Sequence, residues 1–307
     1  MTDRSPGQRG SALLIALVAV ALATVLAVGL LERAQRGLAR TESLISGERA
    51  QQYALAMEAL VASALEQARA EGLDDTLISG TWTPPYEVPG GQVQGRLLDR
   101  QGRFNLNALA STDAALAGRA ERALERLLDV LGQPRSVAAE LADWIEGDAA
   151  IRSGSVGDFW YAAQQPPYRM AGLALAHESE LRWLRSVDSI VYQALLPHVT
   201  ALPERVLRVN VNTTTPEVLA SLIVGLDIES ARRVLADGPF SDSAQLVTHP
   251  LLAGLLTPDV ERELTVASQW YMAQARVVLE GIERDFFRLM AADGAGYDFR
   301  YVSQGLP

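Results

Sequence analysis

The hydrophobic pattern of the chain begins with one long apolar segment. Residues Ser11–Leu31 read SALLIALVAVALATVLAVGLL and hold no charged side chain. A bilayer core needs about 20 helical residues at about 1.5 Å rise each, whereas the apolar region of a secretory signal has roughly 7–15 residues. The segment therefore has the length of a membrane span and exceeds that of a removable secretory signal.

The helical pattern continues beyond this segment in amphipathic form. Apolar residues recur at spacings of three and four, as one helical face requires; they are Met57, Leu60, Val61, Ala64, Leu65 and Ala68. The first helix-stopping signal is Gly72. We predict one helix from about Ser11 to about Glu71, embedded in a membrane in its first half and amphipathic in its second.

An alternating pattern indicates strands near both ends of the rest of the chain. The predicted strands are Gln92–Arg100, Thr265–Leu279, Arg284–Ala291 and Tyr297–Ser303. The residues between the last three strands, such as Glu280-Gly281, are typical of turns. From Asp113 to about Ala236 the pattern is mostly helical, with a long loop from Gly147 to about Leu175.

These elements predict an α+β fold in which a long N-terminal helix packs on an antiparallel sheet and a large all-α insertion interrupts the sheet. The N-terminal strand would pair with the C-terminal strands across the insertion. The predicted α+β domain comprises residues 32–104 and 263–307, and the inserted helical domain comprises residues 105–262. Two helical domains followed by a separate β-meander is the alternative, which is less favoured because three strands would need a core of their own.

Composition narrows the chemistry of the chain. Its 307 residues carry a formal net charge of −10 and include neither Lys nor Cys. An acidic chain opposes bulk binding to phosphate backbones, and without Cys there are no disulfides, thiolate metal sites or Cys nucleophiles. The three His residues are far apart in sequence, which disfavours a His-rich zinc site. No phosphate loop or nucleophile elbow is present, so the chain is not expected to be an enzyme, and a membrane-anchored hydrolase is the least favoured function.

The residues before the apolar segment resemble a processing signal. Gln8-Arg9-Gly10, directly followed by an apolar helix and later by a sheet, is similar to the start of the type IV pilin class. In that class a prepilin peptidase cuts after the glycine, here between Gly10 and Ser11. The resemblance implies that residues 1–10 are a leader and that residues 11–31 remain as a single-pass anchor in the bacterial inner membrane. The domain would then face the periplasm, an orientation that the flanking arginines alone do not decide.

Two positions distinguish the chain within that class. Ser11 would be the first mature residue, where Phe or Met is usual, and Ile15 would be the fifth, where major pilins carry Glu. By lacking this Glu, the chain resembles the minor pseudopilin K branch of type II secretion systems. Five further blocks resemble that branch in the same order; they are QGRFNLNAL (101–109), ELADWIEGD (140–148), QPPYR (165–169), ESELRWLRSV (178–187) and VNVNTTTPEVLASL (209–222).

The resemblance implies a minor pseudopilin that caps the tip of the periplasmic pseudopilus and helps to initiate its assembly for protein export. The implied partners are the other minor pseudopilins of the tip, the prepilin peptidase, the inner membrane, and the secreted substrate or the outer-membrane secretin; nucleic acid is not expected. In a fibre of packed helices, Glu at mature position five would neutralise the N-terminal amine of a neighbour. Ile15 therefore favours a position without a neighbour above, and a large insertion would obstruct repeated stacking.

Acidic residues gather around the long predicted loop. Clustered carboxylates must stay solvated or meet a cation, and Ca²⁺ takes six to eight oxygen ligands. The resembled branch binds calcium in this region, and the matching residues are Asp143, Glu146, Asp148, Asp158 and Glu180. Val156-Gly157 stands where the branch has Ala-Glu, and a solvated acidic loop is the alternative.

Residues 209–247 resemble a helix-hairpin-helix pair. Thr215 is a good N-cap with Pro216 at the first helical position, and Gly225 begins the turn. Many such pairs bind DNA, so a membrane-anchored DNA-binding protein is the alternative function. The second glycine of the usual turn is missing and the segment is net negative, opposite to what phosphate binding needs. We therefore predict a structural pair, in which Asn210 and Asn212 bond local backbone.

Overall fold

The computed structural model describes residues 7–71, 80–147, 151–292 and 297–304. Helix α1 (Gly7–Ala70) contains both the apolar segment and the amphipathic one. Its apolar first half is exposed to solvent, and burial begins at Ser46. The single long helix predicted from the sequence is confirmed, with a start that lies before Ser11.

One antiparallel sheet forms the body on which α1 packs. Within the described residues it has five strands: β1 (Tyr86–Val88), β2 (Gly91–Asp99), β7 (Trp270–Leu279), β8 (Ile282–Ala292) and β9 (Tyr297–Gln304). They lie in the order β1-β2-β7-β8-β9. The pairing of β2 with β7 runs from Gly91 opposite Leu279 to Asp99 opposite Tyr271. The predicted pairing across the insertion is therefore present.

The second half of α1 buries an apolar stripe against this sheet. Met57, Val61 and Leu65 pack with the inward-facing residues of β2 and β7. At Gly95 a Cβ atom would lie 2.5 Å from Met57 Cγ, so the helix approaches the strand closely at a position without a side chain. An ion pair between Arg288 Nε and Glu58 Oε2 (2.7 Å) adds a polar link between β8 and the helix.

The insertion between β2 and β7 is mostly helical and has an apolar core of its own. Its helices are α2 (Ala114–Val130), α3 (Ser136–Glu146), α4 (Asp158–Ala162), α5 (Ser189–Leu195), α6 (Pro216–Leu222), α7 (Ile228–Ala236), α8 (Ser243–Val247) and α9 (Pro258–Glu263), with 3₁₀ helices at Leu106–Ala110, Glu178–Trp183 and Pro250–Leu252. Two short parallel pairs complete it: β3 (Phe104–Asn105) with β4 (Val199–Thr200), and β5 (Val209–Asn210) with β6 (Leu264–Thr265). The predicted α+β fold with a helical insertion is confirmed, while the domain bounds at 104/105 and 262/263 stay a prediction.

Three sequence predictions need correction. The strand predicted over Thr265–Leu279 is two strands, because Ser268 and Gln269 turn away from the ladder to bond Asp99 and Gln101. The segment Gly80–Gly91 is rich in Pro and Gly and predicts a loop, but it contains the strand β1. The predicted loop from Gly147 to Leu175 contains α4.

The half-buried carboxylate of Asp99 ties the end of β2 to the insertion. Asp99 Oδ1 accepts hydrogen bonds from the backbone N–H groups of Gln101 and Gly102, at 2.6 and 3.3 Å. Its Oδ2 accepts from Thr213 Oγ1 (2.6 Å), Ser268 Oγ (2.6 Å) and Asn210 Nδ2 (3.2 Å). Burial is the main cause that raises the pKa of Asp99, and these donors oppose it by favouring the ionised form. The network joins segments distant in sequence at the point where the sheet gives way to the insertion.

A buried ion pair lies next to this network. The guanidinium of Arg100 contacts the carboxylate of Glu178, and each side chain is only 4% exposed. Burial, followed by the nearby charge of Arg103, lowers the pKa of Arg100 to about 9. The pair connects the end of β2 to the 3₁₀ helix at Glu178–Trp183.

Candidate functional site

The exposed half of α1 is the first candidate functional surface. The large apolar side chains from Leu13 to Leu31 are all exposed. By length and composition the helix can cross a membrane. Ile15 lies on this surface with 67% of its area exposed. The N-terminal helix is thus an apolar anchor that projects from an α+β body.

The predicted cleavage bond between Gly10 and Ser11 lies inside this helix. Helix α1 begins at Gly7, so the backbone on both sides of the bond is helical. The same helix carries Ile15 one turn later. Cleavage at Gly10 and a fibre-packing role for Ile15 stay predictions.

The second candidate is the acidic region at the end of α3. Asp143 is buried, and its two oxygens accept hydrogen bonds from Arg152, one from the backbone N–H (2.9 Å) and one from the guanidinium (2.7 Å). The same guanidinium donates to both oxygens of Glu146, at 3.0 and 2.7 Å. Its Nε lies 3.2 Å from Glu121 Oε1 on α2. An arginine therefore occupies the point where three carboxylates converge.

The other residues predicted to hold calcium serve different bonds. Asp158 Oδ1 accepts from the backbone N–H of Met170 at 2.8 Å, which closes the loop after α4. Glu180 Oε1 accepts from the backbone N–H groups of Ala176 and His177 in a capping box. Asp148 lies outside the described residues.

The donor set of the described residues does not fit a calcium site. No three His, Asp or Glu side chains within ranges 7–71, 80–147 and 151–292 are placed to hold one metal ion. Asp143 and Glu146 are brought together, but around a guanidinium, and Asp158 and Glu180 point to backbone donors elsewhere. Calcium at the complete set of five residues stays a prediction, because Asp148 belongs to that set.

Sequence reasoning missed Arg152 and Glu121 as members of this cluster. A signal was present, since Arg152 is the only basic residue between Arg135 and Arg169 and lies beside the acidic block. Glu121 belongs to α2, and no local pattern could place it near α3.

Aromatic side chains fix the loop that follows the acidic cluster. Trp144 meets Tyr161 edge-on at a centroid distance of 5.4 Å, and Tyr161 is fully buried. Tyr168 stacks at a tilt on Tyr161 (5.3 Å) and lies edge-on to Trp183 (5.1 Å). Burial also raises the pKa of Tyr161. This chain of rings anchors the loop to α3.

The predicted helix-hairpin-helix pair consists of α6 and α7. Thr215 caps α6 by accepting from the Val218 N–H, and Gly225 turns the chain with φ of 89°. Asp227 is the N-cap of α7 and accepts hydrogen bonds from both the backbone N–H and the hydroxyl of Ser230. A carboxylate at the turn opposes phosphate binding. The geometry gives no support to the DNA-binding alternative.

The asparagine before this pair has a wider role than predicted. The amide of Asn212 donates to the carbonyls of Phe240 (2.9 Å) and Val266 (3.0 Å) and accepts from the Phe240 N–H (2.8 Å). The prediction of purely local backbone bonds is therefore wrong for Asn212, because its partners lie 28 and 54 positions away.

The hairpin carries a pH-sensitive contact, from which we make a first prediction. His198 Nδ1 is hydrogen-bonded to the capping hydroxyl of Thr215 (2.8 Å), and burial lowers the pKa of His198, against a smaller opposing effect of Glu217. The unfolded chain then binds a proton near pH 6.5 before the folded chain does. The contribution of His198 to the free energy of unfolding is therefore complete above about pH 6.5. It is lost as the pH falls from there towards the lower pKa that His198 has in the folded chain. Thermal unfolding at about pH 7.5 and about pH 5.5 measures the loss, and His198→Asn is expected to reduce the difference; an unchanged difference would contradict the assignment.

Comparison with known proteins places these features in a family. Two models described as "Type II secretion system (T2SS), protein K" match residues 102–204 and 209–266. Type II secretion system protein K of Klebsiella pneumoniae is 32% identical over 289 residues, with 89% of each chain covered. The protein of the same name from Aeromonas hydrophila is 32% identical over 298 residues, again with 89% of each chain covered. The chain belongs to the type II secretion system protein K family.

A solved structure extends this family relationship to the fold. The chain superposes on a chain in the crystal structure of the GspK-GspI-GspJ complex from the type 2 secretion system of enterotoxigenic Escherichia coli. The TM-score is 0.74 at 26% identity, with 87% of this chain and all of that chain covered. The resemblance to the minor pseudopilin K branch is thereby confirmed. Protein K is a structural pseudopilin family and not a known enzyme family, and its role here is that of a minor pseudopilin in type II secretion.

Proposed function

We propose that this chain caps the tip of a periplasmic pseudopilus and helps to initiate its assembly for protein export. The observation that carries the proposal is the division of α1 into an exposed apolar half and a half packed on the sheet. Such a helix can rest in the inner membrane and later pack beside the apolar helices of other subunits. When the helix moves from the membrane into the fibre, van der Waals contacts with neighbouring helices replace its contacts with lipid tails at little cost.

Two features favour the tip over the shaft. The helical insertion, with its own core, adds a second body to the pilin-like one and would obstruct stacking of identical subunits. Ile15 supplies no carboxylate to compensate the N-terminal amine of a subunit above. We therefore infer that the neighbours of this chain lie on one side of it.

The proposed partners are the two other minor pseudopilins of the tip. The support is the similar E. coli chain, which was solved in complex with GspI and GspJ. The prepilin peptidase would act first, with the globular domain in the periplasm. The secretin and the secreted substrate would be met only as the pseudopilus grows.

Removal of the leader gives a second prediction, which directly tests the proposed processing. When the full chain is expressed with a prepilin peptidase, mass spectrometry is expected to find Ser11 as the first residue. Gly10→Ala is expected to leave the leader in place. Gly29→Ala is the matched control, since a Cβ at Gly29 meets nothing within 4 Å, and it is expected to be processed as the wild type. A Gly10→Ala chain that begins at Ser11 would contradict the proposed processing.

The tip position is tested on assembled pseudopili. A tag at the exposed Phe159, labelled with gold, is expected at one end of each pseudopilus and to co-purify with the two other minor pseudopilins. Deletion of the chain is expected to reduce the number of pseudopili, because fewer would be initiated. Gold distributed along the shaft would overturn the tip assignment.

A further inference from the structure

The acidic cluster at the end of α3 already contains a cation. The Arg152 guanidinium contacts Glu121 from α2 and Asp143 and Glu146 from α3, with N–O distances of 3.2, 2.7 and 2.7 Å. We propose that Arg152 serves as the built-in cation of this cluster, in the place where a divalent metal would otherwise hold the loop after α3.

The shape of the arginine head group suits this role. A guanidinium presents five N–H donors in a rigid planar fork, which matches carboxylates on two sides. Here the fork spans three carboxylates from two helices, with both oxygens of Glu146 engaged. Hydrogen bonds to Glu146, and to a smaller extent to Asp143, raise the pKa of Arg152 and outweigh the opposing effect of burial. The guanidinium is therefore always charged at physiological pH.

A metal ion and this guanidinium would compete for the same oxygens. Ca²⁺ needs six to eight oxygens at about 2.3–2.6 Å. Asp143 is the buried member of the cluster, with its side chain 1% exposed, and both of its oxygens are engaged by Arg152. Metal binding at this point would require the Arg152 guanidinium to leave, whereas the backbone N–H bond of Asp143 could stay, because each carboxylate oxygen has two lone pairs.

Hydrogen bonds between protein groups also hold two later parts of the loop. Asp158 closes the segment through the N–H of Met170, and Glu180 caps the 3₁₀ helix that follows. The ring contacts of Trp144, Tyr161 and Tyr168 add apolar support between them. Arg152 therefore provides the charge compensation that a calcium ion would otherwise provide.

The experiment is thermal unfolding of the full-length protein in detergent, with CaCl₂ and with EDTA. The melting temperature of the wild type is expected to be the same in both. Arg152→Gln is expected to melt roughly 3–8 °C lower in EDTA, because Asp143 then stays buried without its cationic partner and keeps only the backbone N–H bond. Calcium is expected to recover part of that loss, since the carboxylates are no longer occupied. Arg135→Gln is the matched control, because Arg135 pairs with Asp129 on the exposed surface, and it is expected to melt as the wild type in both conditions.

Three results would overturn the inference. Calcium could raise the melting temperature of the wild type, Arg152→Gln could melt like the wild type, or calcium could fail to shift the variant. If Arg152→Gln does not fold, Arg152→Lys provides the second test. It keeps the charge but loses the fork, and it is expected to melt below the wild type. Terbium emission sensitised by Trp144 then measures ion binding, and a lysine variant that binds terbium no better than the wild type would also overturn the inference.

Discussion

Replacing Glu178 with alanine is expected to lower the free energy of unfolding by about 3–5 kcal/mol. The Arg100–Glu178 pair is buried on both sides, so the substitution leaves an arginine charge in the interior without its partner. The loss is measured by chemical unfolding of the full-length protein in detergent, followed by tryptophan fluorescence.

Two comparisons test this cause. The double variant Arg100→Met, Glu178→Leu is expected to recover most of the loss, because apolar residues often replace a buried ion pair at little cost. Glu229→Ala removes an exposed partner of Arg232 and is expected to cost less than about 1 kcal/mol. If Glu178→Ala costs no more than Glu229→Ala, the pair does not hold β2 to the insertion.

Replacing Gly102 with alanine is expected to cost a similar amount, about 3–5 kcal/mol, for a steric reason. A Cβ at Gly102 would lie 2.5 Å from Thr213 Oγ1 and 2.6 Å from the Thr213 carbonyl oxygen. Thr213 must move away, which breaks the hydrogen bond that its Oγ1 donates to the half-buried carboxylate of Asp99. The same unfolding measurement applies.

Gly118→Ala is the matched control for this prediction. Gly118 lies in α2, where the nearest atom to a new Cβ is the flexible end of Arg122 at 3.4 Å. Alanine favours a helix over glycine by about 1 kcal/mol, so this variant is expected to be as stable as the wild type or more so. A Gly102→Ala protein with unchanged stability would show that the junction tolerates movement of Thr213.

The sequence predicted those elements whose periodicity is local. The long helix follows from an uncharged run and a stripe at spacings of three and four. The strand predicted at Gln92–Arg100 differs by one residue at each end from β2. The insertion and its capped hairpin could also be predicted, because Thr215, Pro216 and Gly225 act on their immediate neighbours.

The parts that could not be predicted depend on partners far along the chain. Asn212 bonds Phe240 and Val266, and the segment after β6 turns away because Ser268 bonds Asp99, 169 positions earlier. The acidic cluster shows the same limit, since Glu121 reaches Arg152 only after α2 packs on α3. No residue pattern within one element contains these contacts.

The pairing of β2 with β7 has a consequence for how the protein is made. Arg96 and Gln274 face each other although they are 178 positions apart. When β2 is synthesised, its ladder partner β7 has not yet been made. Until then β2 presents unpaired backbone N–H and C=O groups, which can pair with another chain. A compact insertion shortens the distance that β7 must search, because its two ends are already joined by the Asp99 network. Early folding of the insertion would therefore protect the nascent chain from aggregation.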